Sequence, residues 1–258
     1  MRIPKLSRVA LFLGFLMLAT VIAPSAFATS ITGTLDITGG ISLTSTGIDF
    51  LPAGGGTGTV LADAFSNTGT FAVLNSGNPT AEQSGTIYDL SYSSTLPTIF
   101  LTGFSSAPDV TLDLDSVNPG VFGASACFAA PAAGQICSPP LSPLNFVNVP
   151  AGTGLDTLLS ISFAGTAVDT STGDTSPFTG TLSAQFAGSY QTLLADIASS
   201  TPVSSSFSAT IVVDGSDGGS GGTTLPEPGS AAMLIAGLAG LALLAPFCGL
   251  RLRRNDAA

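Results

Sequence analysis

The sequence predicts a mainly β, antiparallel domain. Three features point there: short runs in which apolar and polar residues alternate, turn residues between those runs, and a single segment of helical period. The expected architecture is a β-sandwich, with a jelly roll among its forms and one short helix added. A signal helix is expected before this domain and a transmembrane helix after it.

The first strand is read from Ile31, Gly33, Leu35 and Ile37, which alternate with Thr32, Thr34, Asp36 and Thr38. Successive side chains of a strand point to opposite faces, so this pattern buries one face and wets the other. Thr86, Tyr88, Leu90 and Tyr92 alternate with Ile87, Asp89 and Ser91 in the same way, and Val110, Leu112 and Leu114 alternate with Thr111, Asp113 and Asp115. Phe207, Ala209, Ile211 and Val213 repeat the pattern late in the chain. Gly39-Gly40, Asn75–Pro79 and Asn118-Pro119-Gly120 are expected to be turns. In Tyr190–Ser199 the apolar residues Tyr190, Leu193, Leu194, Ile197 and Ala198 fall at helical spacing, which predicts a helix covering an open end of the sheets. No internal repeat argues for a solenoid or propeller.

Both ends of the chain carry export features. Arg2, Lys5 and Arg8 precede the apolar stretch Val9–Ala23; Pro24 breaks it, and Ala26-Phe27-Ala28 gives the small-x-small pattern that signal peptidase reads. Residues 1–28 are therefore expected to be a signal peptide, with Thr29 as the first mature residue. An Asp-Gly-Ser-rich linker follows the domain at 214–224. Then Ala231–Leu250 runs for 20 residues without a charge. At about 1.5 Å per residue it spans about 30 Å, the hydrocarbon thickness of a bilayer. Arg251, Arg253 and Arg254 follow at once and are expected to stop transfer on the cytoplasmic side, with the domain outside.

Charge narrows the partners. Between Thr29 and Thr224 there is no Lys, Arg or His, while 14 of the 16 acidic residues lie there. A domain with no cation has nothing with which to neutralise nucleic-acid phosphates or anionic lipid headgroups. Enzyme chemistry is poorly provided for as well. Without His or Lys the usual general bases and Schiff-base nucleophiles are missing, and without Arg there is no clamp for carboxylate or phosphate. A carboxylate pair of glycosidase type is conceivable among 13 Asp and Glu82, but no Trp and only three Tyr are there to stack a sugar. No catalytic residue is assigned and the domain is expected not to be an enzyme.

Cys127 and Cys137 bracket a short Pro- and Gly-containing loop and are expected to pair in an oxidising compartment. Closing so short a loop contributes about 3 kcal/mol in the chain-entropy model. Cys248 lies in the apolar tail. With no His and no further Cys in the domain, a zinc site has no ligand set, and no resident cofactor is assigned. Calcium is the one cation considered: Asp113 and Asp115 share a strand face, and Asp169 and Asp174 sit in the polar turn DTSTGDTS. The alternative for all four is plain solvation, and no EF-hand spacing is present.

The tail also carries a resemblance. Pro226-Glu227-Pro228-Gly229-Ser230, the apolar run and the terminal arginine cluster together resemble the PEP-CTERM sorting signal over about 30 residues of the 258. The domain is similar to uncharacterised β-rich exported domains that carry such tails, which implies no activity. The resemblance implies a bacterium that makes exopolysaccharide, processing by the membrane protease exosortase, and delivery to the cell surface or extracellular matrix, with exopolysaccharide among the possible partners. Physically, the two prolines force an extended segment that cannot join the following helix. Glu227 is the only charge between Asp217 and Arg251, which makes it a natural specificity handle. Two other readings of the tail stay open. Leu225–Gly229 resembles the LPxTG signal of sortases, with Pro228 where that signal has Thr, and a plain uncut anchor fits the apolar run. The expected organisation is thus a signal peptide (1–28), a β domain (29–213), a linker (214–224) and a sorting signal (225–258). The expected function is structural or interactive, with a calcium-dependent adhesion or carbohydrate-binding module as the alternative.

Overall fold

A computed structural model of the chain describes residues 30–52, 55–92 and 95–215. Twelve strands are found: β1 (Gly33–Leu43), β2 (Gly47–Phe50), β3 (Thr57–Ala62), β4 (Ser84–Tyr88), β5 (Leu90–Ser91), β6 (Thr98–Thr102), β7 (Val110–Val117), β8 (Ile136–Cys137), β9 (Asn145–Ala151), β10 (Gly154–Asp169), β11 (Thr175–Ala187) and β12 (Val203–Val213). One α-helix, α1 (Tyr190–Ala198), stands between β11 and β12, and 3₁₀ turns occupy Gly69–Leu74 and Ala124–Phe128. Ser189 caps α1, its hydroxyl oxygen accepting from the Thr192 N–H.

The mainly β, antiparallel expectation and the short helix are found, but the two sheets of a sandwich or jelly roll are not. A single ladder runs β11-β12-β1-β3-β4-β6-β7-β10, and β10 pairs back onto β11, so the sheet closes as an eight-stranded antiparallel barrel. Its strands follow one another in chain order around the wall, an up-and-down course rather than a Greek key. The reason is length. β10 has 16 residues and serves two partners on one edge, β9 along Gly154–Ser160 and β7 along Phe163–Asp169. β1 does likewise with β2 at Ile41–Leu43 and β3 at Ile37–Gly39. Closure pairs the edges an open sheet would expose, and a period of two is the same in either architecture.

Two local expectations are corrected. Gly39 and Gly40 lie within β1 and make no turn. A Cβ on Gly39 would lie 2.8 Å from the Phe207 ring, and one on Gly40 2.8 Å from Leu51 Cβ, so close approach requires both glycines. The run Thr86–Tyr92 is broken at Asp89 into β4 and β5, and its inward residue is Ile87.

The interior is solid. Phe207, Phe50, Phe100, Phe163 and Phe178 form a chain of edge-to-face contacts, with successive ring centroids 5.4, 6.1, 5.1 and 6.3 Å apart. Such pairs each add about 0.5–1.5 kcal/mol beyond area burial. Three of these rings stand opposite a glycine on the neighbouring strand: Phe163 faces Gly180, Phe178 faces Gly165 and Phe207 faces Gly39. The missing side chain leaves room for the ring, which covers the bare backbone in return.

The two ends of the barrel differ. The first and last described residues meet at one of them, where a Cβ on Gly215 would lie 3.0 Å from Ser30 Oγ. This near end also holds the β3–β4, β6–β7 and β10–β11 connections. The far end holds β2, β5, β8, β9, α1 and the long connection 118–144.

The residues expected to form the signal peptide and its cleavage site (Ala26, Ala28), most of the linker, the sorting motif (Pro226, Glu227, Pro228, Gly229), the apolar run and Arg251, Arg253 and Arg254 lie outside the described residues.

Candidate functional site

The far end is built around the connection 118–144. From Ser116 to Leu155 no residue carries a charge, in a domain whose charged residues are all acidic. Nothing in this segment has strand or helix periodicity long enough to hold itself, so it is held by contacts distant in sequence. Cys127 and Cys137 form a disulfide with Cα atoms 5.2 Å apart, tying the second 3₁₀ turn to β8. Tyr190, the first residue of α1, is fully buried. Its ring stacks on Phe146 at 6.2 Å, its hydroxyl donates to Ala126 O at 3.1 Å, and its N–H donates to Asn148 Oδ1 at 2.9 Å. Burial pushes the Tyr190 hydroxyl above its ordinary pKa, outweighing its bond to Gln191.

Two buried asparagines of β9 organise the rest. Asn148 Nδ2 donates to Gln191 Oε1 at 3.0 Å, and Gln191 Nε2 donates to Gln135 Oε1 at 2.9 Å. Asn145 Oδ1 accepts from the Val121 N–H and the Ser138 hydroxyl, both at 2.7 Å. A buried amide must find its partners inside the protein, and these two find theirs on the 118–144 connection and α1. That network, with Tyr190, Asn145, Asn148 and Gln191, was not singled out from the sequence. Two asparagines three apart in a strand otherwise apolar (NFVNV) are the signal that could have found it.

A groove crosses the far end between β5 and this connection. One part, about 350 Å³, is lined by Ile48, Leu90, Tyr92, Leu96, Pro119 and Leu141 among others. A second part, about 260 Å³, shares Tyr92, Leu141 and Ser142 and continues to Thr44, Pro139, Leu194 and Ile197. Leu141 is fully exposed and left-handed at φ 59°, a conformation unusual for a residue with a Cβ. α1 thus borders this groove at a barrel end, as expected of the helix. Asp49 and Asp89 lie close by: burial, then the charge of Asp89, raises the pKa of Asp49, while Asp89 Oδ1 accepts from the Phe50 N–H at 2.7 Å. Burial and the charge of Asp49 together raise Tyr92.

The four aspartates considered for calcium form two separate pairs. Asp113 and Asp115 do point from the outer face of β7, since Leu112 and Leu114 point in. Thr166 Oγ1 donates to Asp115 Oδ2 at 2.7 Å, whereas Asp113 Oδ1 is buried with no partner. Burial first, and the charge of Asp115 second, raises the pKa of Asp113. Asp169 sits in the near-end turn, where its Oδ1 accepts from the Ser171 hydroxyl at 2.6 Å, the Ser171 N–H at 2.8 Å and the Thr172 N–H at 3.2 Å. These bonds hold its carboxyl below the ordinary pKa. Asp174 Oδ2 accepts from Thr172 Oγ1 at 2.9 Å. Among the described residues no three Asp, Glu, His or Cys side chains gather as a metal-binding group.

A third hollow, about 930 Å³ and open, lies on the outer wall across β9, β10, β11, β12, β1 and β3. Its lining includes Thr38, Thr59, Ser160, Ser183, Ser206 and Ser208, with no charged side chain.

No protein-family model matches the chain, and no curated protein and no solved structure matches it.

Proposed function

We propose that this chain is an exported, tail-sorted protein of the cell surface or extracellular matrix of a bacterium that makes exopolysaccharide, released from its tail by an exosortase. Its barrel serves by binding or by building, and not by catalysis. The observation that carries this reading is the sequence of the tail itself: Pro226-Glu227-Pro228, a charge-free run of 20 residues and three arginines, in that order. Support comes from the barrel too. A disulfide suits an oxidising compartment outside the cytoplasm, and the chain leaves the barrel at the end opposite the groove.

The test is processing. Glu227→Ala removes the only charge between the linker and the arginines while leaving the apolar run and the stop signal intact. The variant is expected to accumulate as a membrane-bound form heavier than the mature product by the mass of the tail. Intact-mass measurement is the assay, since the domain offers trypsin no Lys or Arg. Mature protein that still carries Arg251–Arg254 in its native host overturns the sorting reading and leaves a plain anchored protein.

One observation favours a calcium-dependent form of the same function: the buried, unpartnered Asp113 Oδ1 beside Asp115. Bound calcium then raises the melting temperature by mass action, and Asp113→Asn with Asp115→Asn abolishes the rise. A melting temperature indifferent to millimolar calcium removes this form.

A further inference from the structure

We infer that the outer hollow across β10, β11, β12, β1 and β3 binds a neutral polysaccharide chain. The inference deepens the surface-protein reading above and rests on it. Cross-strand register places Ser160, Ser183, Ser208, Thr38 and Leu61 opposite one another in turn, one unbroken row over five strands. At about 4.8 Å between strands this row measures roughly 19 Å, the length of several sugar units. A second row beside it holds Val147, Leu158 and Gln185 in register. The hydroxyls of Thr38, Thr59, Ser160, Ser183, Ser206 and Ser208 have no side-chain hydrogen bond to any described residue, and most of them are exposed. They stand free to bond a ligand.

The chemistry of the lining selects the ligand class. A hydroxyl is donor and acceptor at once, as a sugar hydroxyl is, so each can pair with the other in either direction. Half-exposed Leu61 and Leu158, with Val147, offer apolar edges for the C–H faces of sugar rings. No charge lines the hollow, and two carboxylates on the same wall are already engaged: Asp36 accepts from Thr210 Oγ1 at 2.6 Å and Asp156 from Gln185 Nε2 at 2.8 Å. An anionic polymer meets a domain of 12 acidic residues without one cation and is repelled. With no aromatic ring other than that of Phe207, whose side chain points inward, the hollow cannot stack a sugar, so the affinity of one site is low.

The full-length gene is expressed in the producing cells, and the protein recovered from them is run in native gels containing dextran, mixed-linkage β-glucan or, as anionic control, polygalacturonate. At least one neutral polymer is expected to retard it, and polygalacturonate is not. Ser183→Ala with Ser208→Ala is expected to weaken retardation about tenfold, two hydroxyl contacts of ordinary strength. Thr38→Val, nearly isosteric and favourable in a strand, weakens it about fivefold and guards against a folding artefact. Tyr92→Ala, in the far-end groove, leaves it unchanged. Three results overturn the inference: no retardation by either neutral polymer, retardation indifferent to the serine pair, or retardation lost only with Tyr92→Ala. The intact mass of the same sample reports separately on tail removal, so failure of sorting and failure of binding are read apart.

Discussion

The turn between β10 and β11 and the connection between β7 and β9 solve one problem in opposite ways. Both leave a wall strand of the same barrel, the turn for the next wall strand and the connection for β9, which pairs with β10 at the far end. The turn, residues 170–174, is held mostly by its own neighbours: every side-chain bond of Asp169 reaches two or three residues along the chain, and the long-range partner is Asp109 O, which accepts from the Thr170 N–H at 2.7 Å and hydroxyl at 3.0 Å. The connection, residues 118–144, is held from afar, by partners 24 residues away for Val121 and 64 for Ala126. A short turn costs little loop entropy. A long connection loses more and needs a cross-link and buried amides to offset that loss. The far end therefore gains shape, with its groove and helix, and the near-end turn needs no cross-link.

The interior on which both depend offers the largest effect. Phe163→Ala removes the ring shared by Phe100, Phe178 and Gly180, and a loss of about 3–5 kcal/mol is expected, read by chemical or thermal unfolding. Gly180→Val, which drives a side chain into the same ring, should cost about 1–3 kcal/mol. If either left global stability intact, the two ends would not share one core.

Next comes the cross-link. Reduction, or Cys127→Ser with Cys137→Ser, is expected to cost about 3 kcal/mol. A nonspecific protease should then cut within 118–144 while the 170–174 turn stays resistant. Equal cutting at both would break the contrast. Asn148→Ala comes third, at about 1–3 kcal/mol, because it strands the buried N–H of Tyr190. Exchange of amide hydrogens in α1 should quicken while that of Ser171 and Thr172 does not.

Acidification separates the aspartates by sign. The lowered pKa of Asp169 means that its contribution is fully present above the ordinary Asp value, near 3.9, and is lost as pH falls through the lower folded value. Amide exchange at Ser171 and Thr172 should accelerate only in that acid range. Asp49 and Asp113, whose pKa values are raised, act oppositely: each favours folding below the ordinary value and loses that contribution as pH rises through its raised one. Asp113→Asn is thus expected to stabilise at neutral pH, and by the smallest margin here, under about 1 kcal/mol after screening. The gain should vanish near pH 3, where the carboxyl is already neutral.

Much of the wall was legible because period two is local. Leu35 and Ile37, Leu112 and Leu114, and Phe207, Ala209, Ile211 and Val213 are buried as their alternation predicts. The helix was legible from the spacing of Tyr190, Leu193 and Leu194. Gly39-Gly40 does not turn, although a glycine pair signals a turn, because something else needs the space at Gly39, and that something, Phe207, is 168 residues away. The hollow on the outer wall was invisible for a like reason: the serines and threonines that line it read as ordinary wet faces of five separate strands until register sets them side by side.

The sequence by itself determined which residues alternate, that two cysteines bracket a short loop, that the domain carries no cation, and that a charge-free run with arginines behind it follows Pro226-Glu227-Pro228. All of these are properties of composition and near-neighbour order. Tertiary structure alone decided that the ladder closes into a barrel, since closure depends on β10 pairing β11 on one edge and β7 and β9 on the other. It also decided the reciprocal fit of Phe163-Ala-Gly165 against Phe178-Thr-Gly180. Each ring there meets the other strand's glycine only because antiparallel register sets 163 opposite 180 and 165 opposite 178. Packing between strands is a relation between distant residues, and a single chain read in order shows each partner without the other.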